Sequence, residues 1–198
     1  MGWIIANTMQ HLQNAGMPNP PLRTEVFPPG YPSAYESVVR LSDGRWVEIR
    51  PILPSDAPEL SEAIRTADAA TLHSRFLGGP PPLTDTVLGR LTHLDYVRRF
   101  ALVARSQGHG VAVARYAGPP PSADGSGTAD VAVAVRPEWR RAGLATALLE
   151  LLARRAQECD ITDFTALFLA SNPPVTEPAH DGNTSLVIAE GVAQLHAP

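Results

Sequence analysis

The longest stretch of helical periodicity runs over residues 143–158, where Leu144, Leu148, Leu151 and Leu152 fall at i, i+4, i+7 and i+8. Glu150 and Arg154 sit four apart on its polar face and support each other there. Ala129–Val135 before it and Phe164–Leu169 after it are Val-, Ala- and Leu-rich runs of strand length. Upstream, Val39 and Leu41 alternate with polar positions, as do Trp46 and Ile49, around Ser42-Asp43-Gly44. This predicts a β-hairpin over 36–50. Pro54-Ser55-Asp56 with Glu59 three residues after Asp56 reads as a capping box opening a helix to Ala67, with Leu60, Ile64 and Ala67 on one face. A short helix from Thr84 carries Val87, Leu88 and Leu91. Strands at 100–104 and 110–115 flank the turn Ser106-Gln107-Gly108-His109. A final hairpin over 184–188 and 192–196 turns at Glu190-Gly191. Antiparallel strands, then strand–helix–strand, then a hairpin, describe one mixed α/β (α+β) domain.

Proline changes the picture at the ends of that pattern. Residues 1–34 hold Pro18, Pro20, Pro21, Pro28, Pro29 and Pro32 and show no periodicity, so they are expected to form a flexible arm preceding a domain over 35–198. Gly78–Pro82 and Gly118–Gly127 are further breaks.

The composition excludes several chemistries. All 16 basic residues are Arg, so Schiff-base and P-loop lysines are ruled out. A formal net charge of −4 argues against a nucleic-acid-binding surface. No apolar run approaches the 18 residues of a membrane span. The N-terminus lacks the basic and apolar regions of a signal peptide. The single Cys159 has no intramolecular disulfide partner, which fits the cytoplasm. His73, His93 and His109 have no metal-ligand spacing, with one another or with Cys159, so no metal is expected.

The chemistry concentrates in Val131–Thr146, where a strand ends, a basic turn Arg136-Pro137-Glu138-Trp139-Arg140-Arg141 follows, and the long helix opens. A helix start carries unpaired amides and partial positive charge and so takes anions. Gly143 removes a side chain where an anion would approach. Without Lys this is no nucleotide P-loop, and without G-x-G-x-x-G no Rossmann turn.

Arg140-Arg141-Ala142-Gly143-Leu144-Ala145, placed between strand and helix, resembles the acyl-CoA signature Gln/Arg-x-x-Gly-x-Gly/Ala of the GNAT acetyltransferase superfamily. Val47–Ala57 is similar to that family's first strand and opening helix. His73–Phe76 and Leu91–Tyr96 with Ala101–Ala104 are similar to bacterial Pat-type protein lysine acetyltransferases. The resemblance covers residues 31–196. It implies a mixed, mostly antiparallel sheet with helices on both faces and a splayed pair of parallel strands forming an acyl-CoA cleft. It implies acetyl-CoA as co-substrate and an amine acceptor, either a protein lysine or a small molecule. It places CoA phosphates on Arg140, Arg141, Ala142, Gly143, Leu144, Ala145 and Thr146, and the pantetheine arm on Val133, Val135 and Asn172.

Asp130 leads the fourth strand of that pattern, where the Pat-like family has a Glu base; it is either a base one methylene shorter or a solvated strand-start carboxylate. The family's last helix, commonly bearing a Tyr acid, would fall near Ala179, which is no Tyr, and Pro178 interrupts it. His180 stands nearby as a substitute acid or a surface residue. Two functions follow from the resemblance: an N-acetyltransferase, or an acyl-CoA-binding sensor or interaction module with little catalysis.

Overall fold

The computed structural model describes residues 27–67, 82–118, 127–169, 185–189 and 192–197. Eight strands form one mixed sheet: β1 (Ser37–Arg40), β2 (Trp46–Pro51), β3 (Arg99–Ser106), β4 (His109–Ala117), β5 (Thr128–Val135), β6 (Asp163–Leu169), β7 (Ser185–Ala189) and β8 (Val192–Ala197). Their order is β1-β2-β3-β4-β5-β6-β8-β7. Every neighbouring pair is antiparallel except β5–β6. Three α-helices are described: α1 (Ala57–Thr66), α2 (Asp85–Thr92) and α3 (Leu144–Glu158).

The two faces of the sheet carry different layers, as the alternation of β4 shows. Val113 faces a cavity beneath α1, whereas Tyr116, of opposite parity, faces the Arg155–Cys159 end of α3. Helix α3 buries Leu144, Leu148, Leu151, Leu152 and Ala156, the leucines its periodicity predicts. They join Phe100, Leu102, Ala114 and Tyr116 in the core. Phe100 and Tyr116 tilt together at 5.8 Å, and Tyr35 stands edge-on to Phe100 at 5.4 Å.

Two local expectations fail, each for a physical reason. Asp56 does not cap α1. Its carboxylate takes both guanidinium nitrogens of Arg50 at 2.7 and 2.5 Å and the Leu53 amide at 2.7 Å, all in the interior. An interior carboxylate needs such a partner set. Glu59 in turn leaves the helix start, accepting from the Gly110 amide at 2.7 Å and pairing with Arg105 at 2.7 Å. These ties hold α1 against β3 and β4. The β3–β4 turn is tighter than four residues: only Gln107 and Gly108 stand between the strands, both at positive φ (49° and 81°), as a type I′ turn demands.

The end of the Pro-rich segment that is described lies on the core. Phe27 stacks on Tyr31 at 4.6 Å, Tyr31 meets Tyr96 edge-on at 5.7 Å, and Tyr35 is buried.

Candidate acyl-CoA site

β5 and β6 pair over only three residues, Thr128 with Asp163, Ala129 with Phe164 and Asp130 with Thr165. β5 continues to Val135 against β4, and β6, paired with β8 on its other edge from Phe164, continues to Leu169. The two parallel strands therefore part after Asp130. The closed end is fastened by Gly127, whose carbonyl accepts the Thr162 amide at 2.8 Å and the Asp163 amide at 3.2 Å. A Cβ there would lie 2.5 Å from the Asp160 carbonyl oxygen, so only glycine lets the segments approach this closely.

Backbone alternation decides what the gap receives. The Arg136 amide donates to Val111 of β4, and the Gly127 carbonyl serves the β6 side. Along an extended strand the backbone groups of Val131, Val133 and Val135 therefore point toward β6, into the opening. Val133 and Val135 thus present backbone groups to the opening. Their side chains pack partly buried against the core. Asp130 stands exposed at the apex of the opening. The register puts Asp130, Ala132 and Ala134 on the α1 face, opposite Ala117, Arg115 and Val113.

Beyond Val135 the chain makes a 3-10 turn, Pro137–Trp139, and enters α3. Arg140 is not merely a solvated turn residue: its Nε donates to the Val135 carbonyl at 3.1 Å, tying the loop to the end of β5. Arg141 and Gly143 both adopt positive φ, 61° and 80°. A Cβ on Gly143 would meet nothing within 4 Å, so glycine is required by the backbone conformation, and the space beside it is open. The first helical bond runs from the Ala147 amide to the Gly143 carbonyl at 3.1 Å. The amides of Gly143, Leu144, Ala145 and Thr146 consequently lack intrahelical acceptors and carry the positive end of the helix dipole. Ala142 is buried and holds the loop to the core.

On the α1 face a cavity of about 310 Å³ lies beside β5, lined by Ile52, Leu60, Val103, Val111, Val113 and Ala134 among others. It shares its sheet face with Asp130 and is roofed by the helix that Glu59 ties down.

Two of the described tyrosines commit their hydroxyls to backbone carbonyls. Tyr96 donates to the Ile52 carbonyl and Tyr116 to the Val97 carbonyl, each at 2.9 Å. Burial pushes the Tyr116 hydroxyl well above its ordinary pKa. Asn172, Pro178, Ala179, His180 and His73–Phe76 lie outside the described residues. Among the described residues no group of three His, Cys, Asp or Glu is placed to hold a metal ion, and no helix is long and apolar enough to cross a membrane. The sequence reading missed the hairpin contacts to this loop. The Ser42 amide donates to the Ala142 carbonyl at 3.2 Å, and Arg45 lies 3.9 Å over the Trp139 ring.

Comparison with known proteins agrees with this geometry. The family model for the acetyltransferase (GNAT) family matches residues 69–181. Acetyltransferase PA5475 of Pseudomonas aeruginosa is 31% identical over 119 residues, 58% of this chain and 62% of its own length. The chain thus spans somewhat under two thirds of that curated relative. The crystal structure of the GNAT domain of S. lividans PAT superposes with a TM-score of 0.72 at 30% identity, covering 84% of this chain and 98% of that one. That of yncA from Salmonella typhimurium, a protein solved with its cofactor acetyl-CoA, superposes with a TM-score of 0.58 at 19% identity, covering 76% and 92%.

Proposed function

Because the chain belongs to the acetyltransferase (GNAT) family, we propose that it is an N-acetyltransferase moving an acetyl group from acetyl-CoA to a primary amine. The observation that carries this is the parting of β5 from β6 after Asp130, directly before a helix start with four unpaired amides. The gap accepts the amide-bearing pantetheine arm on the backbone of Val133 and Val135. The amides of Gly143, Leu144, Ala145 and Thr146, the buried turn at Ala142, and Arg140 and Arg141 take the pyrophosphate. Asn172 is proposed to complete the arm's contacts.

Asp130, at the apex, accepts a proton from the acceptor ammonium, directly or through one water. The freed amine attacks the thioester carbonyl carbon. The C–N bond forms as the C–S bond breaks; the acylated nitrogen gives its remaining extra proton to water, and the CoA thiolate leaves and takes a proton from water. Backbone amides of β5 stabilise the developing oxyanion, and alignment in the cleft supplies much of the acceleration. The cavity on the Asp130 face receives the acceptor, a protein lysine or a small amine. The likeness to a Pat GNAT domain supports the protein acceptor. The cytoplasm, where acetyl-CoA and reduced Cys159 coexist, is the proposed site of action.

The test is thiol release from acetyl-CoA with a panel of amines and protein acceptors. Turnover is expected, and Asp130→Asn is expected to lower it by about 10²- to 10⁴-fold with CoA affinity unchanged in calorimetry. CoA binding without turnover on any acceptor would leave an acyl-CoA-binding module, and no CoA binding would overturn both readings.

A further inference from the structure

The loop that would take the CoA phosphates is conformationally unusual at two of its residues. Arg141 and Gly143 are both left-handed, at φ 61° and 80°. For a non-glycine residue that conformation persists only where the surroundings impose it. The β1–β2 turn supplies those surroundings from outside residues 69–181, the span the family model matches. It grips the loop on both flanks of the two arginines. On one flank Arg45 lies face-on to Trp139 at 3.9 Å, and on the other the Ser42 amide donates to the Ala142 carbonyl at 3.2 Å.

The grip is itself rigid. Leu41 is buried and closes the turn, its amide donating to the Arg45 carbonyl at 2.8 Å. Asp43 accepts the Arg45 amide at 3.0 Å and its Nε at 2.8 Å, and lies 2.6 Å from its Nη2. These contacts fix the plane of the guanidinium that covers the indole. Hydrogen bonding from Arg45 lowers the Asp43 pKa from its ordinary value, in keeping with the pairing seen here. Trp139 is fastened at its own backbone, its amide donating to the Arg136 carbonyl at 2.9 Å.

Resting on the proposed function above, we infer that the β1–β2 turn is part of the acyl-CoA site, with Arg45 a positioning residue that acts through Trp139 to hold the phosphate-binding loop in its binding conformation. A loop ordered before the ligand arrives avoids the ordering cost on binding. The turn therefore governs affinity for CoA and leaves the acyl-transfer step and the acceptor untouched.

Arg45→Ala, Arg45→Lys and Trp139→Leu, each in the full chain, test this by calorimetry with CoA and by initial rates with acetyl-CoA. Loss of the cation–π contact is expected to weaken CoA binding and raise the acetyl-CoA KM by about two- to fivefold. The acceptor KM and kcat stay at the wild-type values. Arg45→Lys recovers part of the loss, because an ammonium still sits over the ring but without the fork that pairs with Asp43. The Arg45→Ala/Trp139→Leu double variant is expected to lose little more than either single variant. Unchanged CoA affinity in both Arg45→Ala and Trp139→Leu, whether or not they melt earlier, would overturn the inference while leaving the acetyltransferase reading intact. A wild-type chain that binds no CoA overturns both.

Discussion

At the scale of single residues, two glycines do different work, and only one was legible. Gly143 was readable because its neighbours in sequence form the motif, although the structure moves its reason from clearance to backbone conformation, at φ +80° with open space around it. Gly127 carried no signal beyond lying in a Pro-, Ser- and Gly-rich break. Its constraint comes from Asp160 and Ile161, more than thirty residues away, which a Cβ would reach at 2.5 and 3.0 Å. Gly127→Ala must push the start of β5 away from the α3–β6 turn. Overpacking of this kind is expected to cost about 1–3 kcal/mol, measurable as a lowered denaturant midpoint with unchanged slope. Asp56 and Glu59 show the converse error. Their three-residue spacing suggested a capping box, but the Asp56 carboxylate is shared between buried Arg50 and the Leu53 amide, and Glu59 turns to Arg105 and the Gly110 amide.

At the scale of elements, periodicity placed the hairpins, β5, α3 and β6 within a residue or two, because each buries one face and shows it in sequence. What joins the elements was not legible, since it depends on tertiary partners. The turn from α2 into β3 is an example. Asp95 accepts the amides of Val97, Arg98 and Arg99 at 2.9, 2.7 and 2.9 Å, beside Tyr96 at φ 57°. Partial burial opposes ionisation of Asp95, but these amides and the Arg99 side chain outweigh it and hold the pKa below its ordinary value. A carboxylate depressed on folding contributes stability that is complete above the unfolded-state pKa, about 3.9, and is lost as pH falls through the folded-state value. Asp95→Asn keeps an acceptor but not the charge. It is therefore expected to destabilise by about 1 kcal/mol at pH 7, reduced by the partial exposure of the pair, and by less below pH 4. Denaturant melts of both proteins at pH 7 and pH 3 would show the gap narrowing; a gap that stays constant would remove the charge from the account.

At the scale of the whole molecule, the absence of lysine among 198 residues acquires a meaning that composition alone did not give it. It first excluded lysine chemistries; the proposed phosphate grip, built from the backbone amides at the start of α3 and from Arg140 and Arg141, needs none. If the proposed reaction extends to protein lysines, this chain offers no lysine side chain to its own chemistry. After long incubation with acetyl-CoA, intact-mass and peptide spectra are expected to show no lysine adduct, with the α-amine as the nitrogen left to modify. The order of strands across the sheet carries a last consequence. Because β5 and β6 are joined only near Gly127, the middle of the sheet has an unfinished seam, and the proposed pantetheine arm is chemically a short piece of strand that completes it. Binding free energy then adds to folding free energy, by about 2.7 kcal/mol at a hundredfold excess over Kd. The supply of acyl donor would thus set the lifetime of the fold as well as the rate of the reaction, and a cell poor in CoA thioesters would hold less of this protein for reasons that have nothing to do with its synthesis.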